Sequence, residues 1–376
     1  MNSIEIFSGA GGLAKGLELA GTKHQAFIEW NADACNTLRK NYDDSIIFQG
    51  DVRLFPFIDY KDRNVDIIAG GPPCQPFSLG GKAKGRNDER DMFPAAISAI
   101  RTLMPKAFIF ENVKGLLRES FADYFHFIIL QLTYPGVHLK YENWRENLAM
   151  LQSINSEQKH NGFEYNVTYR LVNAADYGVP QKRERVIIVG IRSDLNINWQ
   201  FPQPTHSEDS LLWEKYVTGD YWNRHHITNP ESVEFCKTIK NRMIEKYGLW
   251  RPELKSWKTV RDAFEGLGEP NGHGEHCLRK GARIYPGHTG SYIDEPSKTI
   301  KAGGHGVPGG ENMVRFEDGT VRYLSVLEAK RIQTFPDDYI ITGSWGEAMR
   351  QLGNAVPVLL AYVISDSVLK AINTPC

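Results

Sequence analysis

The stretch IEIFSGAGGLAKGLELA, Ile4 to Ala20, decides the fold. It opens with an apolar run suited to a buried strand, turns through Gly9, Gly11 and Gly12, and closes, from Leu13 to Ala20, with the spacing of a helix. A strand that turns through glycines into a helix is the opening unit of a doubly wound α/β sheet. Further apolar runs follow: AFIEW (Ala26 to Trp30), SIIFQGD (Ser45 to Asp51), VDIIAGG (Val65 to Gly71) and AFIFEN (Ala107 to Asn112), with helix-like stretches such as Ala32 to Tyr42 between them. Buried strands alternating with helices predict a parallel sheet covered on both faces. Two later runs, YNVTYRLVNA (Tyr165 to Ala174) and RVIIVGIR (Arg185 to Arg192), are close enough in sequence for an antiparallel pair at the end of that sheet.

After Arg192 the chain turns rich in Trp, Tyr, Pro, Gly and His, and the alternation stops. The expected division is an α/β domain over 1–192, completed by 344–376, with a second, smaller and irregular domain over 193–343. Within the latter, SVLE (Ser325 to Glu328) is a capping box, predicting a helix that stops at Pro336. GNAVPVLLAYVISDSVLKAI (Gly353 to Ile372) predicts one helix, opened by Asn354, that returns to the sheet.

The 376 residues are 41% apolar, ample for a core. No run approaches eighteen uninterrupted apolar residues and MNSIEIFSGA has no basic leader, so the reading is a cytoplasmic protein without a membrane partner. Five scattered cysteines suggest neither a disulfide framework nor zinc ligation, and HGEHC (His273 to Cys277) reads as a solvated loop; no metal is assigned. With 44 basic against 45 acidic residues, any surface for a polyanion has to be local. Basic clusters in GGKAKGR (Gly80 to Arg86), QKRER (Gln181 to Arg185) and CLRKGAR (Cys277 to Arg283) are candidates.

The first glycine turn has a G-x-G-x-x-A pattern at Gly9, Gly11 and Ala14, which lets a ligand approach backbone at a helix N-terminus. Twenty residues after Gly9, Glu29 ends the second strand, where an acid can hold ribose hydroxyls. Trp30 offers a face for a purine, and Asp51, after the third strand, an acceptor for an exocyclic amine. These residues fit a dinucleotide or S-adenosylmethionine equally well.

Beyond the fourth strand, GGPPCQPFS (Gly70 to Ser78) mounts Cys74 among prolines; beyond the fifth stands Glu111. Ligands in open α/β sheets meet the carboxyl ends of strands, so both should face the cofactor's crevice. Gly70 and Gly71 are read as permitting close approach of a substrate. IEIFSGAGGLAKGLELAG, GGPPCQPFS, FENVKG, QKRERVIIVGIR, RYLSVLEAKRIQTFPDDY and QLGNAVPV run in the order of one known family and cover most of the chain. The sequence resembles the DNA (cytosine-5)-methyltransferases of the bacterial restriction-modification type.

That resemblance implies a Rossmann-like S-adenosylmethionine-dependent methyltransferase domain with an irregular target-recognition domain, acting on C5 of a cytosine in a short duplex DNA site. It assigns Cys74 as the thiolate that adds to C6 of a flipped cytosine, Glu111 as proton donor at N3, Arg185 as the contact to O2, and Arg183 as a phosphate contact or support for Cys74. Phe7, Gly9, Gly11, Glu29, Trp30, Asp51 and Pro72 fall to the cofactor, and Asn354, Ala355 and Val356 to its methionine end, with Ala355 where many members have serine. Lys82, Lys84 and Arg86 would contact phosphate from a loop closing on DNA, with Gln75 and Ser78 at its base. Tyr134 to Met150 is an insertion whose default reading is packed surface. A partner restriction endonuclease and a monomeric state complete the expectation. A family branch of similar motif order methylates transfer RNA, although its Cys-Phe-Thr segment is not found here; a dinucleotide-dependent oxidoreductase is the rival from another class.

Overall fold

The computed structural model describes residues 1–73, 91–157, 162–302 and 312–374. Two compact units divide the chain. The first comprises Met1–Val172, Glu184–Pro202 and Ala361–Cys376. It runs β1 (Asn2–Ile6), α1 (Gly12–Leu19), β2 (Lys23–Glu29), α2 (Ala32–Asn41), β3 (Ile47–Gln49), β4 (Val65–Gly70), α3 (Phe93–Leu103), β5 (Ala107–Val113), α4 (Ala122–Thr133), α5 (Trp144–Glu157), β6 (Tyr165–Asn173) and β7 (Glu184–Arg192).

The strands form one sheet in the order β3-β2-β1-β4-β5-β7-β6. Neighbours from β3 to β5 are parallel, and β7 lies antiparallel to β5. Its central strands are buried along nearly their whole length, Ile4, Ile6, Ile67, Ile68, Phe108, Ile109 and Phe110 among them, as a sheet with helices on both faces requires. Strand order reverses between β1 and β4. The crevice at their carboxyl ends is where such sheets bind ligands.

Gly70 ends β4 for a reason other than the one expected from sequence. A Cβ there would lie 2.0 Å from the Ile6 carbonyl oxygen, so the neighbouring strand, and not a substrate, requires the glycine.

The second unit comprises Asn173–Arg183 and Gln203–Leu360, whereas the sequence was divided after residues 192 and 343. It contains β8 (His206–Ser207), α6 (Glu208–Trp213), α7 (Asp220–Arg224), α8 (Val233–Tyr247), β9 (Lys255–Ser256), α9 (Val260–Phe264), β10 (Ser291–Tyr292), β11 (Met313–Arg315), β12 (Val321–Tyr323), α10 (Val326–Ile332) and α11 (Trp345–Asn354). Short β10, β11 and β12 make a small sheet, and Leu211, Tyr216, Tyr221, Trp222 and Trp257 make an aromatic core.

The capping box forms: Glu328 N–H donates to Ser325 Oγ and Ser325 N–H to Glu328 Oε2. α10 nevertheless stops at Ile332, ahead of Pro336, because Thr334 adopts φ 57°. The single helix expected from Gly353 to Ile372 is two. Asn354 closes α11 instead of opening a helix, and α12 (Val358–Asn373) starts after Pro357. Proline lacks the amide proton a continuing helix needs and disfavours helical backbone at Val356 before it. By length and composition Trp345–Asn373 resembles a membrane span, but it is two helices broken before Val358, and 56% of its apolar window is buried in the fold.

HGEHC departs from the solvated loop expected of it. His276 is buried with Nδ1 2.9 Å from Ser325 Oγ, and Glu275 pairs with Lys330 and accepts from the Ile341 N–H.

Candidate active site

At the carboxyl end of β1 the backbone turns through three left-handed residues, Phe7 (φ 55°), Gly9 (φ 53°) and Gly11 (φ 81°). A residue with a Cβ at Phe7 pays strain for this conformation, whereas glycine adopts it freely. Glu29, at the end of β2, fixes the turn: its Oε2 accepts from the Gly9 N–H at 2.8 Å, while Oε1 accepts from the Trp30 and Asn31 N–H groups at 2.9 and 2.7 Å. The sequence paired Gly9 with Glu29 by spacing, and the structure joins them by a hydrogen bond. Trp30 is 77% exposed, so core packing does not explain it. Asp51 caps a short helical turn through the Arg53 N–H at 2.9 Å and also binds the Arg53 guanidinium, whose hydrogen bonds hold its carboxyl below the usual range.

These residues fit a nucleoside with a charged tail. Nothing lies within 4 Å of where a Gly9 Cβ would be, leaving open space over the turn, and an uncovered indole stands beside a carboxylate already held in place by three amides.

Glu111 and Arg185 meet across the β5–β7 pair. Glu111 registers with Ile187 and Val113 with Arg185, so the two long side chains are diagonal neighbours on one face. Arg185 Nε lies 2.6 Å from Glu111 Oε1, and each side chain is 12% exposed. The Nε–H is not aligned for a hydrogen bond, so this is a charge contact; Arg185 Nη1 donates to the Glu184 carbonyl at 2.8 Å. A Cβ on Gly71 would sit 3.3 Å from Glu111 Oε2, which makes Gly71 the residue that leaves that oxygen uncovered.

On the opposite face of β5, buried Asn112 donates from Nδ2 to the Pro72 carbonyl at 2.9 Å. The Pro73 carbonyl accepts from the Met92 N–H at 3.0 Å. Beside it, Asp91 accepts from the Phe93 N–H at 3.2 Å and from the Tyr124 hydroxyl. The two residues that precede Cys74 are therefore both tied down. Sequence reading passed over Asn112, although its place next to Glu111 in FENV was the available signal. Trp144, in the insertion read as packed surface, sets its ring edge-on to Tyr124 at 5.2 Å, so that segment packs on α4. Cys74, Gln75, Ser78, Lys82, Lys84 and Arg86 lie outside the described residues. Cys35 makes a useful contrast: it is fully buried, and burial pushes its thiol up to about 11, which keeps it inert at neutral pH.

Arg183 stands apart from Arg185. It is fully buried in the second unit, where Nη1 donates to the Ile300 carbonyl at 3.2 Å and Nη2 to the Gly353 and Ala355 carbonyls at 2.7 and 2.9 Å. Of the expected methionine-end residues, Ala355 and Val356 are buried and Asn354 is exposed.

Sheet order defines a Rossmann-like core with an additional helical and sheet region. The family model for C-5 cytosine-specific DNA methylases matches residues 1–370, and the chain belongs to that family. It is similar to the type II methyltransferase M.NgoMIV of Neisseria gonorrhoeae, at 31% identity over 374 residues, covering 99% of this chain and 98% of that protein. Its fold resembles that of an Escherichia coli prophage-encoded protein described as a DNA modification methyltransferase (TM-score 0.62, 20% identity, 100% of each chain). The Dnmt2 methyltransferase of S. pombe is similar in fold as well (TM-score 0.59, 15% identity, 100% of each chain). The protein is a C5-cytosine methyltransferase that uses S-adenosylmethionine and a flipped base, which settles the choice the glycine pattern left open against a dinucleotide.

Proposed function

We infer that the chain methylates C5 of one cytosine in a specific short duplex DNA sequence, with Cys74 as nucleophile and Glu111 and Arg185 as the groups that hold the base. The observation that carries this reading is the Glu111–Arg185 contact at the end of β5, reached from β4 through the anchored Pro72 and Pro73 that lead into Cys74.

The Cys74 thiolate adds to C6, and the electron pair displaced from the C5–C6 bond makes C5 nucleophilic. S-adenosylmethionine supplies the electrophilic methyl. Glu111 delivers a proton to N3 as charge builds on the ring, and Arg185 holds O2 while orienting Glu111. A base then removes the C5 proton, the ring double bond reforms, N3 returns its proton to Glu111 and Cys74 leaves as thiolate.

Phe7, Gly9, Gly11, Glu29, Trp30, Asp51 and Pro72 bind the nucleoside and sulfonium, and Asn354 to Val356 the methionine end. Lys82, Lys84 and Arg86 contact phosphate, Gln75 and Ser78 at the base of that loop fill the vacated stack or contact phosphate, and residues 193–343 read the target. The protein works in the cytoplasm as a monomer, shielding DNA from a partner endonuclease; full-length similarity to a type II methyltransferase supports this role. Cys74→Ser should abolish incorporation of labelled methyl into duplex DNA while DNA binding persists. Full activity in that variant, or incorporation into transfer RNA alone, would overturn the reading. Bisulfite sequencing of DNA from expressing cells identifies the site.

A further inference from the structure

Three sequence blocks that lie far apart in the chain converge on one buried polar knot in the second unit. Gln181, Arg183 and Gln333 are each fully buried. Gln181 accepts from the Ile300 N–H at 3.0 Å and donates from Nε2 to Gln333 Oε1 at 3.1 Å. Gln333 Nε2 in turn donates to the Leu352 carbonyl and, at 3.4 Å, to that of Ala355. Arg183 spans the same loop through the Gly353 and Ala355 carbonyls and adds Ile300. From the far side, the Val358 N–H donates to the Gln333 carbonyl at 3.0 Å and the Leu359 N–H to Thr334 Oγ1 at 2.8 Å.

Closure of this knot demands a glycine. A Cβ on Gly353 would lie 2.4 Å from the Ala302 backbone nitrogen, so segment 300–302 is pressed flat against the loop that Arg183 holds. With the carbonyls on both sides of Asn354 turned inward, Asn354 is the residue the loop exposes.

We propose that Arg183, with Gln181 and Gln333, is a positioning residue for the methionine end of S-adenosylmethionine, acting through the Gly353–Val356 loop and making no contact with DNA. This rests on the reading of Asn354–Val356 as the methionine-end loop. A fully buried guanidinium committed to three carbonyls reaches a phosphate only by abandoning all three, and buried hydrogen bonds of a charged donor are the costly ones to break. Lysine cannot substitute, because an ammonium lacks the planar fork that spans carbonyls on two segments.

The test uses the full chain and three ligands: S-adenosylhomocysteine, adenosine, which lacks the methionine end, and a random-sequence duplex. In Arg183→Lys and Gln333→Ala, calorimetric affinity for S-adenosylhomocysteine should fall about tenfold, a misplacement effect, while affinity for adenosine and the salt dependence of duplex binding stay as in the parent. Equal losses for S-adenosylhomocysteine and adenosine would mean general loosening and overturn the proposal. So would a shallower salt slope for Arg183→Lys with cofactor affinity intact, the signature of a lost phosphate contact. Gln333→Ala keeps the test decisive if Arg183→Lys folds poorly. Asn354→Ala separates the two failures: no effect there sinks the loop assignment, whereas an effect there without one in the knot variants sinks the knot alone.

Discussion

Arg183 and Arg185 are separated by one residue and belong to one motif, yet they live in opposite surroundings. Arg185, on β7, reaches diagonally across to a carboxylate at the crevice end of β5. Arg183 comes before β7 begins, and its guanidinium is consumed by three backbone carbonyls of the second unit. One guanidinium faces a carboxylate and the other holds a loop. A repeated residue type within a motif is thus no guide to a repeated role; what each side chain faces decides.

The largest effect should come from the chemical side of this contrast. Glu111→Gln is expected to slow single-turnover methyl transfer about 1,000-fold, as for loss of a general acid, with S-adenosylhomocysteine binding unchanged. Arg185→Gln should slow it nearly as much, and the double variant little further, because paired groups are non-additive. Additive losses would separate the pair.

On the structural side, Gly353→Ala should lower unfolding free energy in urea by about 3 kcal/mol, the upper range for overpacking against backbone. Gly9→Ala, strained only by its φ of 53° with nothing within 4 Å of the new methyl, should lose about 1 kcal/mol. Equal losses would show that loop 353 yields to the methyl.

A pH dependence of intermediate size arises in neither region. Buried His24 bonds Ser3 Oγ and the Ala14 carbonyl, and burial lowers its pKa from 6.5 to about 4. The unfolded chain therefore binds the extra proton between these values, so the stabilisation is whole above pH 6.5 and is lost on acidification towards pH 4. At pH 5 the loss should be about 2 kcal/mol. Urea curves at pH 5 and 7 check this: His24→Gln should show a smaller drop than the parent protein.

The α/β half was legible because its strands are buried runs broken by glycine turns, and a motif spacing of twenty residues translated directly into the Gly9–Glu29 bond. Other features depended on tertiary partners that no local pattern reveals. Gly70 looked like room for a substrate but answers to the Ile6 carbonyl. Asn354 looked like a helix opener, yet Ser344, whose hydroxyl accepts from the Glu347 N–H, starts a helix that Asn354 ends. The burial of Arg183 likewise arises from residues more than a hundred positions away. Asn112 was missed because what it holds, the Pro72 carbonyl, belongs to another strand's end.

Gly16 carries a consequence for how the chain comes to fold. A methyl there would meet Ala361 Cβ at 2.4 Å and the Tyr362 nitrogen at 2.6 Å, so the helix that follows the first glycine turn is shaped to receive the backbone of α12. These partners are nearly the whole chain apart, among the most distant contacts a domain can contain, and such contacts form late. On the ribosome, the Gly16 face of the first helix made waits uncovered until α12, near the end of the chain, arrives.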